Sequence, residues 1–62
     1  MVREWIIKKR TELKLTQKTT AEKVGISQPS YCDIKHGKIN PSVKTAKAIA
    51  HVLGFEWTKF FE

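Results

Sequence analysis

The chain has one cysteine, Cys32, so no internal disulfide can form, and that fits a reducing compartment. No apolar run approaches the roughly 18–20 residues of a membrane span. The opening segment MVREWIIKKR sets basic residues after its apolar part, the reverse of a secretion signal. A cytoplasmic chain with no membrane partner is expected. Acid is scarce as well. Six Asp and Glu against twelve Lys and Arg give a formal charge of +6. None of the acids lies between Ile34 and Phe55, whereas Lys35, Lys38, Lys44 and Lys47 all do. That balance favours a polyanionic partner. Repeats, linkers and low-complexity segments are also missing. A chain of 62 residues is expected to be one domain, 1–62, with a small core.

What is present reads as helices with marked ends. Apolar spacing predicts a first helix from about Val2 to Leu13, with Val2, Ile6 and Leu13 inward, the stem of Lys9 or Arg10 between them, and Trp5 and Ile7 off that stripe. Thr16 and Ser27 are good N-caps, and Gly25 suits the left-handed residue that ends a helix. They bracket a second helix, Gln17 to Val24, burying Thr20, Ala21 and Val24, and a third, Gln28 to Lys35, burying Tyr31 and Ile34. Pro29 is tolerated because it falls in a first turn. Gly37 stops the third helix. Ser42 caps a fourth, Val43 to Leu53, with Ala46, Ile49, Ala50 and Leu53 inward, and Gly54 ends it. A short fifth helix, Glu56 to Phe61, offers Trp57, Phe60 and Phe61 to the core. The expected fold is all-α, a compact five-helix bundle whose second and third helices form a helix-turn-helix.

Thr16-Gln17, Ala21-Glu22-Lys23-Val24-Gly25-Ile26-Ser27, Ile34, Gly37-Lys38 and Asn40-Pro41-Ser42 resemble the Cro/repressor-type (XRE-like) helix-turn-helix proteins, lambdoid phage repressors among them. Ile49-Ala50, Leu53-Gly54 and Phe60-Phe61 look like the same family's closing helices. The resemblance implies a sequence-specific transcriptional regulator of phage, prophage or mobile-element type. Its partner would be a double-stranded, pseudo-palindromic DNA operator in a bacterial nucleoid.

In such a fold the third helix lies in the major groove. Helical periodicity leaves Ser27, Gln28, Pro29, Cys32, Asp33 and His36 outward. Gln28 can pair bidentately with adenine, Asp33 can accept from a cytosine amino group, and Pro29 can touch a thymine methyl. Ser27 and Cys32 complete the candidate base-contact set. For the phosphates the resemblance assigns Gln17 at the start of the second helix, with Thr16 beside it, and His36, Lys38 and Asn40 after the third.

The chain also departs from the family's pattern. Thr20 stands where leucine is common and Tyr31 where a smaller aliphatic is common, a volume exchange if the two face each other. The Thr20 hydroxyl then needs a partner. Lys35 stands where the family carries Glu paired with the residue matching Arg10, so that pair cannot form. Thr19, Ser30 and Thr45 occupy the N3 positions where Glu would complete a capping box. These omissions remove negative charge from the presumed DNA face and leave Arg10 or Lys35 to meet the backbone.

No catalytic, metal or cofactor site is expected. Cys32 and His36 are four residues apart, but two ligands do not make a zinc site and His51 is remote. Nothing supplies an oxyanion site. Trp57 or Phe61 with Val52 or Phe55, or alternatively Trp5 with Ile7, could form a self-complementary patch, and a homodimer on DNA is expected. The competing reading is a DNA-binding antitoxin or other protein-interaction module whose surplus aromatics hold a protein partner.

Overall fold

The structure, a computed structural model describing residues 2–62, has helices α1 Glu4–Glu12, α2 Gln17–Val24, α3 Gln28–Lys35 and α4 Val43–Leu53, followed by a 3₁₀ helix, Trp57–Phe61. The bounds of α2, α3 and α4 coincide with those expected from sequence, because each start and stop is written in local chemistry. Thr16 Oγ1 accepts from Thr19 N at 3.0 Å, Ser27 Oγ from Ser30 N at 3.2 Å, and Ser42 Oγ from Thr45 N at 3.2 Å. Each such cap is worth about 1 kcal/mol. Gly25 ends α2 at φ +88° and Gly54 ends α4 at φ +77°. A Cβ at either would meet nothing within 4 Å, so the constraint there is the left-handed backbone and not space.

The two ends of the chain differ from expectation. Helix α1 is shorter than Val2 to Leu13, and both of those residues are exposed. Ile6 is the buried residue of α1, while Trp5 packs against the core instead of lying off it. The cause is long-range. Trp5 meets Phe55 edge-on at 4.8 Å between ring centroids and Phe60 at 5.2 Å, contacts that come from the far end of the chain. After Glu12 the chain turns through Lys14, at φ +58°, and Leu15 N donates back to Arg10 O at 3.1 Å. The closing segment is a 3₁₀ helix and not an α-helix from Glu56. Phe60 alone in it is buried, Trp57 is half-buried and Phe61 is exposed.

The core joins Ile6 of α1, Ala21 of α2, Tyr31 and Ile34 of α3, Ala46, Ile49 and Leu53 of α4, and Phe60. Burying each large aliphatic here contributes about 1.5–3 kcal/mol. Thr20 and Tyr31 are both fully buried. The Thr20 hydroxyl finds its partner within its own helix, donating to Thr16 O at 2.8 Å. The Tyr31 hydroxyl and Arg10 Nε are buried with no hydrogen-bond partner. Burial pushes the Tyr31 hydroxyl above its ordinary pKa, and the nearby Arg10 guanidinium opposes that rise.

Candidate nucleic-acid interface

Helix α2 packs on α3, and α3 is held at its far end by Arg3. Arg3 N donates to Lys35 O at 2.7 Å, and its guanidinium donates to Ile34 O, to Ile39 O at 3.2 Å and to Asn40 Oδ1 at 2.6 Å. The same guanidinium sits 5.4 Å over the Phe60 ring. One residue therefore caps the exit of α3 and organises the loop after it. Sequence reasoning missed Arg3, since its partners lie more than thirty residues away and no local pattern announces them.

The first turn of α3 leaves Ser27, Gln28 and Pro29 exposed, with Cys32 and Asp33 half-buried. Among the described residues the Gln28 side chain makes no internal hydrogen bond, and it and the apolar Pro29 ring are both exposed to a ligand. Ser27 is committed: its Oγ caps the helix and also donates to Ser30 Oγ at 2.9 Å. Thr16 is committed in the same way, capping α2 and donating to Thr19 Oγ1 at 2.9 Å.

Gln17, at the start of α2, lies against α3. Its Oε1 accepts from Cys32 Sγ at 3.1 Å and from Lys35 Nζ at 3.1 Å. Arg10 donates through Nη1 to Leu15 O at 2.8 Å. In the absence of the family ion pair, Lys35 and Arg10 thus each have an internal partner. Each cation has instead taken a neutral oxygen. His36 and Lys38 are exposed beyond α3. His36 Nδ1 stands 2.8 Å from Cys32 O, so that nitrogen carries the proton and donates. The Cys32 thiol and the His36 ring therefore serve different partners. No group of three or more His, Cys, Asp or Glu capable of holding a metal occurs among the described residues. Among them, too, no helix is long and apolar enough to cross a membrane.

The surface that results is an exposed helix end with the uncommitted side chains of Gln28 and Pro29 at its tip. An amide belongs to each neighbouring segment, Gln17 before α3 and Asn40 after it, and their contacts lie along the C-terminal half of α3. Backbone N–H groups at the start of α2 and cations beyond α3 suit phosphate oxygens, while an amide at the tip of α3 suits a base edge.

Residues 6–60 match a family described as helix-turn-helix, and the chain belongs to that family, in its XRE-like branch. Over all 62 of its residues the chain is 42% identical to an uncharacterized HTH-type transcriptional regulator, YqaF, of Bacillus subtilis strain 168, covering 82% of that protein. It is 43% identical over 47 residues, 76% of its length, to the immunity repressor protein of Bacillus phage phi105, of which that stretch is 33%. An uncharacterized HTH-type transcriptional regulator of Methanothermobacter thermautotrophicus is 38% identical over 55 residues, 89% of the chain and 80% of that protein. No solved structure matches significantly.

Proposed function

We propose that the chain is a sequence-specific transcriptional regulator of the repressor type, reading a pseudo-palindromic DNA operator with α3 in the major groove. The carrying observation is that Gln28 and Pro29 are exposed and uncommitted at the first turn of α3. Gln28 would read adenine and Pro29 a thymine methyl, with Asp33 and Cys32 deeper along the helix. Ser27 has only a hydroxyl lone pair left to offer. Gln17, His36, Lys38 and Asn40 would meet the phosphates, with Thr16, Arg10 and Lys35 behind them. The likeness to a phage immunity repressor favours repression and a mobile-element origin.

A homodimer would place two copies of α3 about one DNA turn, ~34 Å, apart. Trp5 and Phe55 are taken up in the aromatic cluster with Phe60, and exposed Phe61 beside Trp57 is the part of the closing segment that would serve self-association. Selection of binding sites from randomised duplex DNA by the purified protein tests the reading. An inverted repeat, bound with steep salt dependence and lost on Gln28→Ala, is expected. Recovery of no preferred sequence would overturn it.

A further inference from the structure

Two carboxamides flank α3, and in each the oxygen is held by a cation of the same chain. Gln17 Oε1 accepts from Lys35 Nζ at 3.1 Å, with Cys32 Sγ as a second donor, and Asn40 Oδ1 accepts from Arg3 Nη2 at 2.6 Å. Lysine and arginine side chains only donate, so neither amide can turn over without setting its NH2 group against a cation. The polarity of both is therefore fixed. Among the described residues no internal hydrogen bond uses Gln17 Nε2 or Asn40 Nδ2, and Asn40 is exposed while Gln17 is half-buried.

We propose that Arg3 and Lys35 are positioning residues of the DNA site. They lock the amides of Gln17 and Asn40 so that both present N–H donors to the phosphate backbone, one from the segment before the recognition helix and one from the segment after it. A free carboxamide samples both orientations, and the one with its oxygen outward repels a phosphate. Fixing the productive orientation in the unbound protein removes that loss and the ordering cost on binding. Lys35 thus does more than add positive charge: it acts through Gln17. The proposal rests on the reading of α3 as the DNA-contacting helix.

Arg3 also anchors α3 and its loop, so its variants test folding first. Lys35 is half-exposed at the helix end and gives the cleaner experiment. Binding would be followed by fluorescence anisotropy on a fluorescein-labelled mixed-sequence duplex about two helical turns long. Lys35→Met should weaken binding about fivefold in the wild-type background and less than about twofold in Gln17→Ala, the signature of coupled residues. Lys35→Arg should restore the wild-type affinity. In the DNA-free protein, 15N relaxation of the Gln17 side-chain NH2 should show lost order in Lys35→Met, while that of Asn40 stays unchanged. Equal weakening in both backgrounds would mean that Lys35 meets phosphate itself and would overturn the proposal. Unchanged Gln17 amide order would overturn it too. If Gln17→Ala and Asn40→Ala each leave duplex affinity intact while Gln28→Ala abolishes operator selection, the DNA reading of α3 stands and the amide clamp falls. If all three leave DNA binding intact, the DNA reading itself falls.

Discussion

The Arg10 guanidinium donates to Leu15 O at 2.8 Å, tying the end of α1 to the approach of α2, while its Nε stays buried and unpaired. A carboxylate at position 35, as the family resemblance places it, would offer that nitrogen an acceptor. Lys35→Glu should therefore raise stability by about 0.5–1.5 kcal/mol, visible as a higher Tm. The same change reverses a charge on the face proposed to meet DNA and releases Gln17, so affinity should drop for all sequences alike. Unaltered affinity for non-specific duplex DNA would contradict this.

Tyr31 makes a second prediction. Its hydroxyl is buried beside the Arg10 guanidinium without a hydrogen bond of good geometry, so Tyr31→Phe should change stability at neutral pH by less than about 1 kcal/mol. Because burial raises the folded-state pKa, the folded protein holds this proton more tightly than the unfolded chain. Tyrosine's contribution is then fully present below pH ~10 and is lost as pH rises through the folded-state value. Denaturant titrations across alkaline pH should show a shallower decline for Tyr31→Phe than for the wild type.

Thr20 fills its site completely, with no exposed surface. Thr20→Leu should overpack the α2–α3 junction and destabilise by about 1–3 kcal/mol. Thr20→Val should be nearly neutral, because Thr16 O keeps the backbone hydrogen bond from Thr20 N at 2.9 Å. A raised Tm for the leucine variant would refute the packing argument.

Lys14 adopts φ +58°, a conformation that disfavours side chains with a Cβ. Lys14→Gly should stabilise the α1–α2 turn by about 0.5–1 kcal/mol, measured as a shift in denaturation midpoint at constant m-value.

Phe61 is exposed at the end of the chain, 6.1 Å from Trp57 between ring centroids. Phe61→Glu should leave the unfolding free energy within about 0.5 kcal/mol of wild type, as surface changes do. It should nevertheless abolish cooperative binding to a two-half-site duplex, scored by gel shift and by sedimentation of the free protein. Unimpaired cooperativity would move the dimer surface elsewhere or assign Phe61 to another protein.

The middle of the fold was legible because its signals are local. Thr16, Ser27 and Ser42 cap within three residues, Gly25 and Gly54 end helices by their own backbone freedom, and the stripe Ala46–Ile49–Ala50–Leu53 repeats at helical spacing. The ends were not legible for the opposite reason. Trp5 looked superfluous until Phe55 and Phe60 met it, and Lys14 takes a left-handed turn that no glycine announces. In the first turn of α3, the exposure of Gln28 and Pro29 could be read from periodicity alone. That the oxygens of Gln17 and Asn40 would be claimed by Lys35 and Arg3 could not, since each pair joins different elements.

The Arg3 clamp carries a consequence for how the domain comes apart. Its partners on Ile34, Lys35, Ile39 and Asn40 bind the start of the chain to the exit of the helix that would read DNA. Helix α3 is thus stapled by a residue more than thirty positions earlier in the chain. Any agent that sequesters Arg3 would unmoor the exit of α3 and the Ile39–Asn40 loop without acting on Gln28 or Pro29.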